Sequence, residues 1–426
     1  MEGHADIVVV GGGLAGLITA ATAAGTGSDS RLDVVVLEGT QPGGRARTDE
    51  RGGYRFNQGA HAVYLEGALR RTLGEFGIDP RGGPPAINHT SVWHEGALYP
   101  MPASARKLLA SRLLGPRAKA QIAKLLPSLG KIDAASLGSL TGAQWLDSLE
   151  LQPEARQLIS LLMRTATYVD PDAMPISADA AVSQLQMAIT PGVRYIDGGW
   201  QTLVDGLLAV CGSRGVRVET KSPVVSVRTS GGGVEVDAGT GHWTAKAVVL
   251  AGLGPANASS LLGRDGVWGD LGESATAACL DLGLTRPPSH PVAFGFADPL
   301  YLSTHCPPAD LAPNGGAVVH AMRYGACGVD VDRGSLEELV AGVGINASMI
   351  VTERFLARMN VAWTVPTASR GGLPGRPLVT VPGHDGVFVA GDWVGPVGLL
   401  SDATAASAVS AAVAARSCAT TLAGAR

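Results

Sequence analysis

Gly11-Gly12-Gly13-Leu14-Ala15-Gly16 follows the apolar run Ile7–Val10 and leads into small and apolar residues up to Ala24. In this G-x-G-x-x-G spacing, Gly11 permits a tight turn, Gly13 lets backbone approach a pyrophosphate, and Gly16 lets a helix pack closely on a strand. A helix that begins there, with Leu14 and Ala15 in its first turn, offers free N–H groups and partial positive charge to phosphate oxygens. Glu38 stands 22 residues after Gly16, at the end of a second apolar run, Leu32–Leu37. An acid at that place meets a ribose hydroxyl. The chemistry within reach of these residues is capture of a dinucleotide. No Arg or Lys follows Glu38 closely, which disfavours a 2′-phosphate and therefore NADP.

The elements that must hold these residues read directly as strand, glycine turn, helix, strand and acid. A second set of motifs extends the site. Gly43-Gly44-Arg45-Ala46-Arg47-Thr48 follows Glu38 after a short loop. Its glycines let backbone pass close to a cofactor, and Arg45 can meet pyrophosphate charge. Near the other end, Gly386–Ala390 reads as a buried strand that closes on Gly391-Asp392. Gly395-Pro396-Val397-Gly398-Leu399-Leu400 follows, then a small-residue helix from Ser401 to Ala415 for which Ser401 or Asp402 is the cap.

With these motifs the chain resembles the flavoprotein superfamily of monoamine oxidases, protoporphyrinogen oxidases and phytoene desaturases. The resemblance implies FAD as cofactor. It assigns Gly43, Gly44 and Arg45 to the cofactor, and Gly391 and Asp392 to its ribityl and phosphate region. It places Leu399, Leu400 and the start of the last helix at the pyrimidine end of the flavin, where the helix dipole would favour negative charge on the reduced ring. Asn57-Gln58-Gly59-Ala60-His61 matches the loop that passes the isoalloxazine, with Gly59 and Ala60 as contacts. Val224, in Pro223–Val227, matches a valine that holds adenine through its backbone. Gly198-Gly199-Trp200 resembles the protoporphyrinogen oxidase branch. The fold implied is α/β: a Rossmann-like FAD-binding domain of residues 1–80, 190–265 and 370–426, with an inserted α+β substrate domain of 81–189 and 266–369.

For the reaction, a substrate C–H would give a hydride to flavin N5. His61 is the titratable candidate, as a base or as a hydrogen-bond partner of substrate; a histidine bonded to its own backbone is the competing reading. Arg194 and Tyr195 are candidates to face the pocket, and Trp393 to wall the flavin. Some family features are missing. The stretch Val394–Gly398 has no tyrosine for an amine-binding aromatic pair, no lysine matches the active-site lysine of amine oxidases, and Cys418 lies too far past the motif for a covalent flavin link. An apolar, isoprenoid-like or polycyclic substrate is therefore expected. Amine oxidation is the alternative, followed by a flavin-dependent isomerase and a non-enzymatic, escort-type binder.

The totals fit this reading. A chain of 426 residues has room for two or three domains, and a net charge of −4 provides no general basic surface for nucleic acid. The five cysteines (211, 279, 306, 327 and 418) form no CxxC, so neither a zinc site nor a disulfide scaffold is expected and a reducing cytoplasm is the simplest home. The N-terminus has no signal-peptide pattern. Residues 101–131 hold seven basic residues and no acid, interleaved with leucines. That pattern raises a peripheral membrane contact as one reading and a solvated face over a leucine core as the other. Helices are expected over 103–114, 116–131, 143–149 (with Thr141 as cap) and 153–166, and strands over 216–219, 224–228, 234–238 and 247–250. Leu336–Leu356 reads as helix with an interruption at Gly342–Gly344.

Overall fold

The computed structural model describes residues 2–25, 32–189, 192–313, 315–325 and 328–424; Cys327 lies outside them. Among the described residues two seven-stranded sheets carry the architecture. In the first, Arg217–Glu219, Val34–Leu37, Glu2–Val10 and Gly241–Ala251 lie side by side and parallel. Gly241–Ala251 then divides its partners. Its first half pairs antiparallel with Gly233–Ala238, and its second half pairs parallel with Val387–Ala390. Val224–Ser230 closes that edge through a tight turn, with Ser230 opposite Gly233.

The segments Ile7–Val10, Val34–Leu37 and Ala247–Ala251 at the centre of the parallel strands are apolar throughout because both faces are covered. Ile7, Val9, Val34 and Val36 face the helices Leu14–Ala24, Gln201–Ser213 and Leu400–Gly424. Val8, Val10, Val35 and Leu37 face the helix Pro255–Leu261 and the indoles of Trp268 and Trp393. Small side chains let the first and last helices come close: Thr19 Oγ1 reaches the Ala408 carbonyl at 3.3 Å.

The second sheet runs in the order Ile350–Ala362, Ala275–Leu284, Ala317–Tyr324, Leu300–Cys306, Val292–Gly295, Thr90–His94 and Ala97–Pro100. It is antiparallel except where Val292–Gly295 meets Thr90–His94. The helix Val329–Gly342 covers one face. Helices between residues 105 and 189 form a separate apolar core that reaches Ala275, Ala362 and Val365. Thr141 caps the helix Gly142–Ser148 as expected, in a reciprocal box with Gln144 at 3.1 and 2.9 Å.

One expectation changes here. The helix expected to run through Leu356 ends at Gly342, and Ile350–Ala362 is an edge strand. Gly344, at φ +85°, breaks the helix, and the β-branched start Ile350-Val351-Thr352 suits pairing with Ala275–Leu284. In the basic stretch, Leu108, Leu113, Leu114 and Ile122 are buried, and Leu125 and Leu126 pack on the same core. Leu109 alone of these is exposed, so the interleaved leucines form a core-facing side. No helix among the described residues is long and apolar enough to cross a membrane.

Candidate active site

The glycine turn is built as its spacing requires. Gly11 adopts φ +106°, and a Cβ there would lie 2.5 Å from the Ala251 carbonyl oxygen. A Cβ on Gly16 would lie 1.8 Å from the Gly11 carbonyl oxygen, so only glycine lets this helix sit on this turn. Glu38 closes the turn from the neighbouring strand. One carboxylate oxygen accepts from the Gly12 N–H at 2.7 Å, and the other from the Thr40 N–H and hydroxyl at 2.8 and 3.0 Å.

The two ends of the chain meet beside this turn. Arg45 Nη1 donates to Asp392 Oδ2 at 2.8 Å and to the Val361 carbonyl at 3.2 Å, and its guanidinium lies 5.6 Å from the Trp363 ring. The Trp363 N–H donates to the same Asp392 oxygen at 3.3 Å. Asp392 Oδ1 is buried and has no partner. An orphaned carboxylate oxygen needs a donor from something that enters the cavity.

One cavity of about 650 Å³ joins these groups. Of the sequence candidates, Gly11, Gly13, Leu14, Ala15, Glu38, Gly43, Gly44, Arg45, Gly59, Ala60, His61, Asp392 and Leu400 line it. Four of the cofactor-binding candidates lie outside its lining. Gly16 is under the helix, Gly391 is buried against the Ser407 hydroxyl, and Leu399 packs in the helical core. Val224 is half-buried at the start of an edge strand, next to Pro223, which packs near Gly39. Trp393 is fully buried on the far face of the first sheet, edge-on to Trp268 and bonded to the Leu253 carbonyl, and does not wall the cavity. Arg194 holds the Pro80 carbonyl, and Tyr195 stacks on His305; neither lines the cavity. Asp402 does not cap its own helix: its carboxylate accepts the Leu69 N–H, at the start of the helix Ala68–Glu75.

Sequence reasoning missed the wall at the inner end. Tyr64, Tyr168, Trp200, Met322, Leu356 and Met359 complete it. Tyr168 follows the end of the helix Pro153–Thr167 in a left-handed conformation, and no motif marks it. Ala251-Gly252-Leu253 also lines the cavity, and a signal did exist there, because a parallel strand that ends in glycine beside the nucleotide turn opens onto the crevice where such sheets bind ligands.

Polar groups at this inner end are mostly satisfied by the protein itself. The Tyr64 hydroxyl donates to the Ala166 carbonyl at 3.0 Å and that of Tyr168 to the Ala60 carbonyl at 2.6 Å. His61 Nδ1 donates to the Gly59 carbonyl at 3.1 Å, and the ring rests 4.7 Å from Trp200. Burial pushes its pKa down from 6.5 to about 4, so the imidazole is neutral. The backbone bond fixes the proton on Nδ1 and leaves Nε2 as a free acceptor on the cavity wall.

The residues present fit a flavin dinucleotide. Side chains at Gly13 and Gly44 would stand in nearly open space, so their absence keeps a cradle clear beside an unpartnered carboxylate oxygen. The fold and this cavity define an FAD-dependent oxidoreductase. The chain belongs to the family of flavin-containing amine oxidoreductases, which matches residues 14–269. No curated protein matches it in sequence. Among solved structures, it is similar to an oxidoreductase from Methanosarcina mazei, with 20% identity over 96% of this chain and 99% of that one and a TM-score of 0.74. A protein from Exiguobacterium assigned as a protoporphyrinogen oxidase is 15% identical over 97% and 98% of the two chains, with a TM-score of 0.69. Cyclohexylamine oxidase from Brevibacterium oxydans is 16% identical over 97% and 99%, with a TM-score of 0.66.

Proposed function

We propose that this protein dehydrogenates an apolar, isoprenoid-like or polycyclic substrate. A flavin held in this cavity would supply the hydride acceptor for a substrate C–H. Glu38 would take the ribose hydroxyls. The main chain at Gly11–Gly16 and Gly43–Gly44, with Arg45, would hold the pyrophosphate, and Asp392 would accept from the ribityl chain. The N-terminus of Leu400–Gly424 reaches the cavity through Leu400 and Ser401 and would offer positive potential to the reduced ring.

The observation that carries the substrate class is the inner wall. It is aromatic and aliphatic, both of its tyrosine hydroxyls are spent on backbone carbonyls, and no lysine lines the cavity among the described residues. The carboxylates on its lining are Glu38 and Asp392, both in the cofactor part, so the inner end offers no carboxylate to pair with an ammonium group. A neutral His61 presents one acceptor and adds no charge. The walls bind by apolar burial, at about 25 cal/mol per Å² of surface removed from water. They also keep water from the reacting carbon.

Anaerobic mixing of the flavin-loaded protein with a panel of apolar alkene precursors and a panel of primary and secondary amines tests this. The apolar donors should bleach the flavin absorbance. Bleaching by amines alone would overturn the reading in favour of amine oxidation, the chemistry named for the family.

A further inference from the structure

Behind the inner wall lies a fully buried polar cluster that the proposed reaction does not use. Asp281 sits on the strand Ala275–Leu284 at 0% exposure, and four donors converge on its carboxylate. His320 Nδ1 lies 2.5 Å from Oδ1 and the Cys279 thiol 3.0 Å from the same oxygen, while Arg354 Nε and Nη2 reach Oδ2 at 2.8 and 2.6 Å. Cys279, Asp281 and His320 are metal-ligand types with ligand atoms within 4.8 Å of one another. The Arg354 guanidinium already supplies the cation there. Burial works to raise the Asp281 pKa, and His320 and Arg354 outweigh it and hold the group below its ordinary value.

Arg354 reaches further than this pair. Its Nη1 donates to Asp49 at 2.7 Å, and Asp49 also accepts from the Gln58 amide at 3.0 Å. Its Nη2 also donates to the Asn57 carbonyl. Asn57 and Gln58 begin the loop that carries Gly59, Ala60 and His61 along the cavity wall. The strand Ile350–Ala362 that supplies Arg354 also supplies Leu356 and Met359 to the same cavity. Met359 fills the space where Gly59 lacks a side chain, because a Cβ there would lie 2.9 Å from its methyl carbon.

We propose that Arg354 is a positioning residue: its guanidinium fixes the loop Asn57–His61 against the strand Ile350–Ala362 and so sets the spacing between two walls of the flavin cavity. This rests on the placement of that loop beside the flavin in the reading above. Only a planar fork with five donors serves Asp281, Asp49 and Asn57 at once, and an ammonium group does not. The required accuracy is high, since a 1 Å misplacement at a reacting centre is worth on the order of 10²-fold in rate.

The test uses three flavin-loaded variants, Arg354→Lys, His61→Ala and Leu339→Ala, with melting temperature and the visible absorption and circular dichroism of bound flavin as readouts. Leu339 is buried on the opposite face of the same sheet and measures lost stability alone. Arg354→Lys and His61→Ala should shift the flavin spectra, and Leu339→Ala should lower the melting temperature without shifting them. A shift with His61→Ala but none with Arg354→Lys overturns the positioning role and leaves the loop placement standing. No shift with either overturns the loop placement itself. Should Arg354→Lys fail to fold, Asp49→Ala removes the outer acceptor of Arg354, together with its bonds to Arg47 and Gln58, at a half-buried site, and unchanged flavin spectra in that variant overturn the proposal.

Discussion

The two ends of the cavity are constructed differently. At the nucleotide end, the turn Gly11–Gly16, the acid Glu38 and the pair Gly43–Gly44 lie within the first 44 positions and act largely through main chain. At the reactive end, contacts cross the whole molecule. Arg354 and Asn57 are 297 positions apart, and Tyr168 and Ala60 are 108 apart. Short-range steric rules secure the first end. The second depends on the register of a separate sheet and on side chains that rigidify the loop and its wall.

That contrast can be broken at several points. The largest effect is expected from Gly16→Val, which forces a side chain into the Gly11 carbonyl and should destabilise by more than about 4 kcal/mol, as strain at an overdetermined position does. Little folded, flavin-loaded protein should be recovered; normal yield and normal FAD content would show that the turn yields.

His61→Ala should leave FAD bound and flatten the acid limb of stability. The folded imidazole is held near pKa 4 against 6.5 when unfolded, so between these values the unfolded chain binds the extra proton and stability falls as pH falls. The wild-type slope should amount to no more than about 3 kcal/mol across that window and be reduced in the variant. Denaturant melts from pH 7 to 4 measure it, and parallel slopes in both proteins would argue against a buried neutral imidazole.

Asp402 should behave in the opposite sense. Burial raises its pKa from 3.8 to about 6, so the folded protein binds the extra proton between these values and stability falls as pH rises through them. Asp402→Asn keeps an acceptor for the Leu69 N–H and should remove a penalty of about 2–3 kcal/mol at neutral pH. An unchanged melting temperature at pH 7 counts against this.

Glu38→Ala is the smallest change. It should weaken FAD binding by roughly 1.5–3 kcal/mol, the value of hydrogen bonds to a charged acceptor, and it should lower the apoprotein melting temperature as well, because Glu38 ties the Gly12 and Thr40 N–H groups. Equilibrium titration with FAD and an apoprotein melt separate the two effects.

Much of the first end was legible in the sequence. Gly11, Gly13, Glu38, Gly43, Gly44 and Arg45 stand on one cavity, and the Gly391-Asp392 motif brings its acid to Arg45. Trp393, one residue further, does not wall the cavity: a strand end does not reveal which face the next side chain takes, and it lies in the core beyond the sheet. The stretch Ile350–Leu356 is a parallel case on the other sheet. It reads as helical because a short apolar run fits both periods, and only pairing with Ala275–Leu284 makes it strand.

By itself, then, the sequence determined the glycine turn, the acid beyond it, the Rossmann-like α/β start and the FAD motifs at both ends, because close-approach sterics and local hydrogen bonding leave few other uses for those residues. Tertiary structure alone decided that Tyr64, Tyr168, Met322 and Met359 wall the inner end, that Asp402 serves a neighbouring helix, and that Arg354 grips the loop before His61. Each of these is a contact between segments far apart in the chain, fixed by sheet register and helix packing rather than by any pattern of neighbours.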